Sequence, residues 1–526
     1  MRIAFLPLDN RPVTRDAFLA LAAAAGVDVV TPLRDRLGSL KSPADVDELW
    51  AWVNTEGAQA DLFIGSAEML VYGGLVPSRV GRESLDRCLT LVGRLRDARK
   101  RAPHRRLFLT ASNLRLPSVA DSTEEPGYWA VYGPDIFTHS YHNDRAARTH
   151  DPKSRALADA ARARIPAAVL ADVRSRRARN LAVLLTLVDL AADGILDALL
   201  VGQDDAAEYG WTRRDLGAVE AAILERRAAH RAWVTYGTDE LAVRLLARAM
   251  IEARGSRPRV RVVYSHPDNI AAIPRYEGQA VDATVTSHIE TVGSRRTSGE
   301  ADLILFVHNF PGAQEEAPYQ RPYDARTLDA FLGALAAAAS RGPCALADVR
   351  YSNGADRILV GRLLASAWPP GLRAYGGWNT LSNTLGMALA QALLVRDDAG
   401  RSFTALRLLD DWAYQADIRQ RLAADILPRY LGASSQDLGE AYPACRDAAR
   451  AWLVGDFVPP LERCLGCGIE IDRVEFPWRR LFNIELGIRV RGNGSPASAA
   501  PASGPTTRPG PAAPRIDRAG APDANR

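Results

Sequence analysis

The chain has 526 residues, 47% hydrophobic and 24% charged, enough for two or three domains and far from a disordered polymer or a small disulfide scaffold. Its net charge is only +4, without the basic, aromatic-interleaved face that a nucleic-acid partner needs. No apolar run approaches the ~18–20 residues of a membrane helix, and Asp9 interrupts the opening too early for a secretory core of about 7–15 residues. A cytoplasmic protein with no membrane and no nucleic-acid partner is the expectation.

From the N-terminus, short Val/Ile/Leu runs alternate with Ala/Leu/Arg stretches of helical period. The runs are Ile3–Leu8, Val27–Val30, Leu62–Gly65, Leu107–Thr110, Ala198–Gly202, Trp233–Tyr236, Val260–Tyr264, Leu303–Val307, Ala345–Val349 and Leu372–Tyr375. Unbroken apolar runs are the mark of strands buried on both faces, and their alternation with helices predicts an α/β fold on a mainly parallel sheet. Helices are expected over 15–25, with Thr14 as N-cap, and over 84–99, 155–193, 213–229, 239–254, 327–340 and 381–395. Eight β-α units before residue 312 favour a (β/α)8-like barrel over two doubly wound sheets. The expected organisation is a barrel-like core over 1–312, a second α/β segment over 313–400, and a mainly helical C-terminal region over 401–492. Within that region, 404–432 and 436–453 read as helices and 469–490 as a strand-like close. The proline-rich 493–526 has one large aliphatic residue, Ile516, and reads as a disordered tail.

Some chemistry is excluded by composition. Lys41, Lys100 and Lys153 are the only lysines, and none lies in a phosphate loop or a Schiff-base setting. Cys88, Cys344, Cys445, Cys464 and Cys467 are odd in number and scattered, so free thiols are expected. His139, His142, Asp144, His150 and Asp151 sit in the insertion after Pro117. They lack a recognisable metal spacing, and a mobile lid is expected there; no metal and no cofactor is called for. Ser66 and Ser112 stand outside any G-x-S-x-G elbow.

The strand ends carry the polar residues. Asp9, Asn10 and Arg11 follow the first run, Glu68 the third, Asn113 the fourth, Asp204 and Asp205 the fifth, Asn309 the eighth, and Trp378 with Asn379 the tenth. Strand ends of a parallel sheet emerge on one side, so these should converge on one cleft. Two adjacent carboxyls raise one another's pKa, which suits a general acid at neutral pH. Asp204 and Asp205 are therefore the expected catalytic pair, with Asp9, Asn10, Arg11, Glu68, Asn113, Asn309, Trp378 and Asn379 binding substrate.

Pro7-Leu8-Asp9-Asn10-Arg11-Pro12, Gly202-Gln203-Asp204-Asp205, Gly377-Trp378-Asn379-Thr380 and Asn383-Thr384-Leu385-Gly386 together resemble the bacterial family catalogued as domain of unknown function 4127, over about 1–490. That resemblance implies one continuous unit and no reaction. The Asp-Asp strand end also resembles substrate-assisted hexosaminidases. The expected activity is hydrolysis of a small polar, carbohydrate-like substrate by carboxylate acid/base catalysis. A metal-free isomerase or racemase, and a non-catalytic small-ligand-binding protein, remain as alternatives.

Overall fold

The computed structural model describes residues 1–395 and 399–492; the expected tail, 493–526, lies outside them. Two open parallel sheets form the frame. Strands β1 (Arg2–Leu6), β2 (Asp28–Val30), β3 (Leu62–Ser66), β4 (Arg106–Asn113), β5 (Ala198–Gln203) and β6 (Ala232–Tyr236) make the first, in order β2-β1-β3-β4-β5-β6. The second uses β7 (Arg259–Tyr264), β8 (Arg295–Arg296), β9 (Leu303–His308), β11 (Cys344–Asp348) and β13 (Leu372–Gly376), in order β13-β11-β9-β7-β8. Short strands β10 (Glu315–Glu316) and β12 (Tyr351–Ser352) pair beside it, and β14 (Cys467–Glu475) with β15 (Glu485–Gly492) forms an antiparallel hairpin.

All ten apolar runs form strands, and the α/β class holds. The barrel does not form. A barrel needs each strand between its neighbours in sequence until the last meets the first, whereas β1 pairs with both β2 and β3. The first sheet therefore stays open at β2 and β6, and the second at β13 and β8. Nor do the strands divide at residue 312: β9 pairs with β11, so the second sheet draws on both sides of that position. Numbered from its own first strand, the second sheet repeats the 2-1-3-4-5 order of the first. In each, the order reverses beside the first strand, the switch point where open α/β sheets take ligands.

Helices cover both faces of each sheet. On one face of the first, Trp50, Leu91, Leu95 and Leu187 pack against Phe63 and Leu109. On the other, Phe18 and Leu245 pack against Phe5 and Ile64. Helix Leu381–Leu394 lies between the sheets, buried at every residue but Leu393. It sends Met387, Ala390 and Leu394 to the first core and Leu385, Ala388 and Leu389 to the second. Its central run Leu385–Ala390 is apolar all round, as a helix buried on every side requires.

Local differences have local causes. The stretch 155–193 is two helices, Pro152–Arg164 and Ala167–Ala192, broken at Pro166, whose nitrogen has no proton to donate. Thr14 does not cap the first helix, Asp16–Ala24; its hydroxyl donates to the Asp9 carboxylate at 2.6 Å. The insertion is a packed helical pair. Helix Trp129–Thr149 lies against Pro152–Arg164, with Trp129, Ile136, Ile165, Leu170 and Trp211 in a small core of their own. C-terminal to the second sheet, Ala399–Arg407 runs into wide-turned helix over Leu408–Ile418 and Leu422–Ile426, followed by helices Tyr442–Trp452 and Val458–Leu465. No helix among the described residues is long and apolar enough to cross a membrane.

Candidate functional site

The carboxyl ends of the first sheet open into a cavity of about 540 Å³. Arg11 reaches it from the loop after β1, Arg115 after β4, Asp204 and Asp205 after β5, and Asp239 after β6. The second sheet's loops add Arg275, Tyr276, Asn353 and Asn379, and the C-terminal region closes it with Arg419, Gln436, Arg480 and Phe482. A narrower recess of about 20 Å³ shares Asp204, Asp205, Asp239 and Asn379 with the cavity and adds Thr238, Glu277 and Asn383.

The Asp pair owes its position to the glycine before it. A Cβ on Gly202 would collide with the Gly237 carbonyl oxygen, so only glycine lets β5 lie this close to the β6 loop. The chain then turns at Asp205, whose φ is 40°. Tyr276, Asn353 and Asn379, with φ of 65°, 61° and 67°, line the same cavity. Left-handed backbone at a non-glycine residue costs on the order of 1–3 kcal/mol and gathers at functional sites. Four such residues, from loops of both sheets, mark this cavity.

Charge pairs knit the walls together. Arg79, from the short helix Leu75–Val80, donates to Glu124 at 2.8 Å and to Asp204 at 2.6 Å. Arg115 donates to Glu125 at 2.7 Å and to Asp205 at 2.9 Å, with Asp204 3.8 Å from the same nitrogen. Arg11 bridges Asp9 at 2.7 Å and Asp239 at 2.6 Å, tying the end of β1 to that of β6. Arg480 donates to Glu124 at 2.5 Å. Burial works against a charge on Glu124, but Arg115, Arg79 and Arg480 outweigh it and hold that carboxyl below the usual range.

Three other carboxyls move the opposite way. Burial and the charge of Asp204 push Asp205 up to about 6, although Arg115 and Arg79 oppose them. Its side chain keeps 27% of its surface, the exposure of a deep cleft rather than a core. Burial, with repulsion from Asp9 and Asp204, pushes Asp239 up to about 6 against the pull of Arg11. Burial alone dominates at Glu277, which rises to about 7 while accepting from Ser382 N and Oγ at 2.9 and 3.0 Å. All three face the recess.

The expected site residues are not all brought together. Asp204, Asp205, Arg11 and Asn379 line the cavity. Asp9 lies one step behind, holding Arg11, and Asn10 accepts from Trp478 Nε1 at 2.8 Å beside a small separate pocket. Glu68 is buried, accepting from Ser66 Oγ at 2.7 Å and Ser112 N at 2.6 Å. Asn113 donates to Gln203 Oε1 and the Thr212 carbonyl. Trp378 packs in the core against Phe482, rings 5.7 Å apart, so Phe482 and not Trp378 faces the cavity. Asn309 belongs to the other sheet, where it clamps His266 N at 2.9 Å and His266 O at 2.8 Å. Beside it, fully buried His308 joins Ser265 Oγ at 3.0 Å to Asp356 at 2.9 Å, filling the second sheet's switch point with protein contacts.

The expected site set left out Asp239, which follows the sixth apolar run and reads equally as a turn or cap residue, and missed Arg79, Tyr276, Glu277, Arg419 and Arg480. Among the missed residues, Arg79 left a local signal, a single cation in the stretch Leu75–Val80. In the insertion, His139 contacts the Ala158 carbonyl, His142 contacts Ser154 Oγ, and Asp144 accepts from Gly210 N. No group of three His, Cys, Asp or Glu side chains among the described residues is spaced to hold a metal ion. The five cysteines are buried and free.

Residues 3–487 match the family described as "Protein of unknown function (DUF4127)". The chain belongs to this family. The match spans both sheets and the C-terminal region, so the DUF4127 unit contains every wall of the cavity. No curated protein matches the chain.

Proposed function

We propose that the cavity is the active site of a hydrolase acting on a small polar, carbohydrate-like substrate, with Asp205 as general acid and Asp204 as its carboxylate partner. The observation behind this reading is the set of carboxyls, Asp205, Asp239 and Glu277, raised towards neutrality around one recess. A carboxyl with a pKa near 6 is still partly protonated near neutral pH and can protonate a leaving oxygen as the bond to it breaks. Asp204, fixed by Arg79 and within reach of Arg115, stands beside it with negative charge for the sugar centre that turns cationic in the transition state. Asn379 and Asn383 offer amides to hydroxyl groups at the floor.

The test is turnover of a panel of aryl glycosides by the full chain and by Asp204→Asn and Asp205→Asn, with melting temperature measured on the same samples. Asp205→Asn should lower turnover by roughly 10²–10⁴ without lowering stability. In the unmodified protein, kcat/KM should fall as pH rises through about 6, where the acid loses its proton. A panel on which no member is turned over, or two variants with full activity, would end the proposal.

A further inference from the structure

Six guanidinium groups line the cavity, and five have a carboxylate partner. Arg11, Arg79, Arg115 and Arg480 are paired as described, and Arg275 meets Glu316 at 3.0 Å. Arg419 differs. Among the described residues no carboxylate lies within the 4.0 Å of an ion pair. Its one hydrogen bond goes to the neutral Gln415 Oε1 at 3.2 Å, and its guanidinium stacks on Phe482 at 5.0 Å. Gln415, itself fully buried, is held by Asp410 and by the Phe482 carbonyl, so it fixes Arg419 without neutralising it.

A guanidinium has five N–H donors in a rigid fork suited to two oxygens of one oxyanion. Arg419 therefore presents unused donors and a charge without a carboxylate in contact inside a cleft, an arrangement that favours entry of something anionic. Burial weakens its hold on its proton and Arg480 adds to the effect, against a partial opposing pull from Tyr414 and the more distant Glu316. The recess offers the reverse chemistry. Asp204, Asp205, Asp239 and Glu277 line it with no arginine or lysine among the lining residues, their cations lying outside it. Thr238 Oγ1 and Asn383 Oδ1, on residues 5% and 4% exposed, have no hydrogen-bond partner among the described residues.

We infer that the substrate is an anionic sugar, its oxyanion seated on Arg419 and its hydroxyl-bearing end in the recess. The inference rests on the carbohydrate reading above and adds the charge that reading left open. Phosphate and carboxylate share the chemistry Arg419 recognises.

Thermal-shift and calorimetric titrations at constant ionic strength separate the cases, with glucose 6-phosphate, glucuronate and glucose as probes. At least one anionic sugar should bind, with glucose at least tenfold weaker. Arg419→Gln should abolish that preference without lowering the melting temperature of the free protein, and Arg419→Lys should restore part of it. Stronger binding of glucose 6-phosphate assigns a phosphate, and stronger binding of glucuronate a carboxylate. Glucose binding as tightly as either anionic sugar, no anionic sugar binding beyond the salt control, or a preference that survives in Arg419→Gln would overturn the inference. Failure of the hydrolase reading would appear separately, as anion binding with no turnover or with turnover untouched by Asp205→Asn.

Discussion

At the scale of single residues, Glu277 connects stability to pH. Its folded pKa of about 7 lies above the 4.5 of an unperturbed glutamate, so the native state holds this proton more tightly than the unfolded chain. The stability it contributes is complete below about pH 4.5 and is lost as pH rises through 7. The loss is at most about 3 kcal/mol. Glu277→Gln keeps the acceptor for Ser382 and removes the titration. The melting temperature of the variant should fall less than that of the parent between pH 4.5 and 7.5, measured by differential scanning fluorimetry; parallel curves would show that the carboxyl ionises there without cost. The sequence makes some of this site legible and hides the rest. Asp204 and Asp205 stand out because they end an unbroken apolar run, and that placement needs no partner to be read. The lack of a carboxylate in contact with Arg419 and the burial of Glu277 exist only after residues far apart in sequence have met.

Single elements were the most readable layer, because a strand buried on both faces writes its own composition. The order of those strands was not readable. Both the barrel and the two-sheet arrangement need the same β-α rhythm, and the difference lies in β1 taking β2 and β3 as its two neighbours. Where helices Leu241–Ala253 and Val281–Thr291 meet, packing depends on Arg244, which is wholly buried. It bonds Glu240 at 3.3 Å, His288 Nε2 at 3.1 Å and Thr235 Oγ1 at 2.9 Å. Burial and the Arg244 charge depress His288 to about 4, so the ring stays neutral and accepts from the guanidinium. Arg244→Met would leave the Glu240 carboxylate buried without its cation and should cost about 3–5 kcal/mol in urea denaturation. Adding Glu240→Gln should recover part of that loss. A single-variant cost below about 1 kcal/mol would mean that water reaches Glu240.

For the whole molecule, the shared helix Leu381–Leu394 matters most. Its two sides complete two different hydrophobic cores, so neither sheet keeps its apolar face covered if the other opens. Scanning calorimetry should give one cooperative transition, with calorimetric and van't Hoff enthalpies in agreement. Two resolved transitions would show that each sheet holds its own packing.

The cavity is also assembled from chain ends made at very different times. Arg480, which donates to Glu124, and Trp478, which donates to Asn10, lie hundreds of residues beyond their partners. At about 5–20 residues per second, a ribosome adds Arg480 roughly 15–55 s after Asp205. During that interval Glu124 already has Arg79 and Arg115 as partners, while Arg480, its third, does not yet exist. The wall formed by Arg419, Gln436, Arg480 and Phe482 is therefore the last part of the cavity to be made.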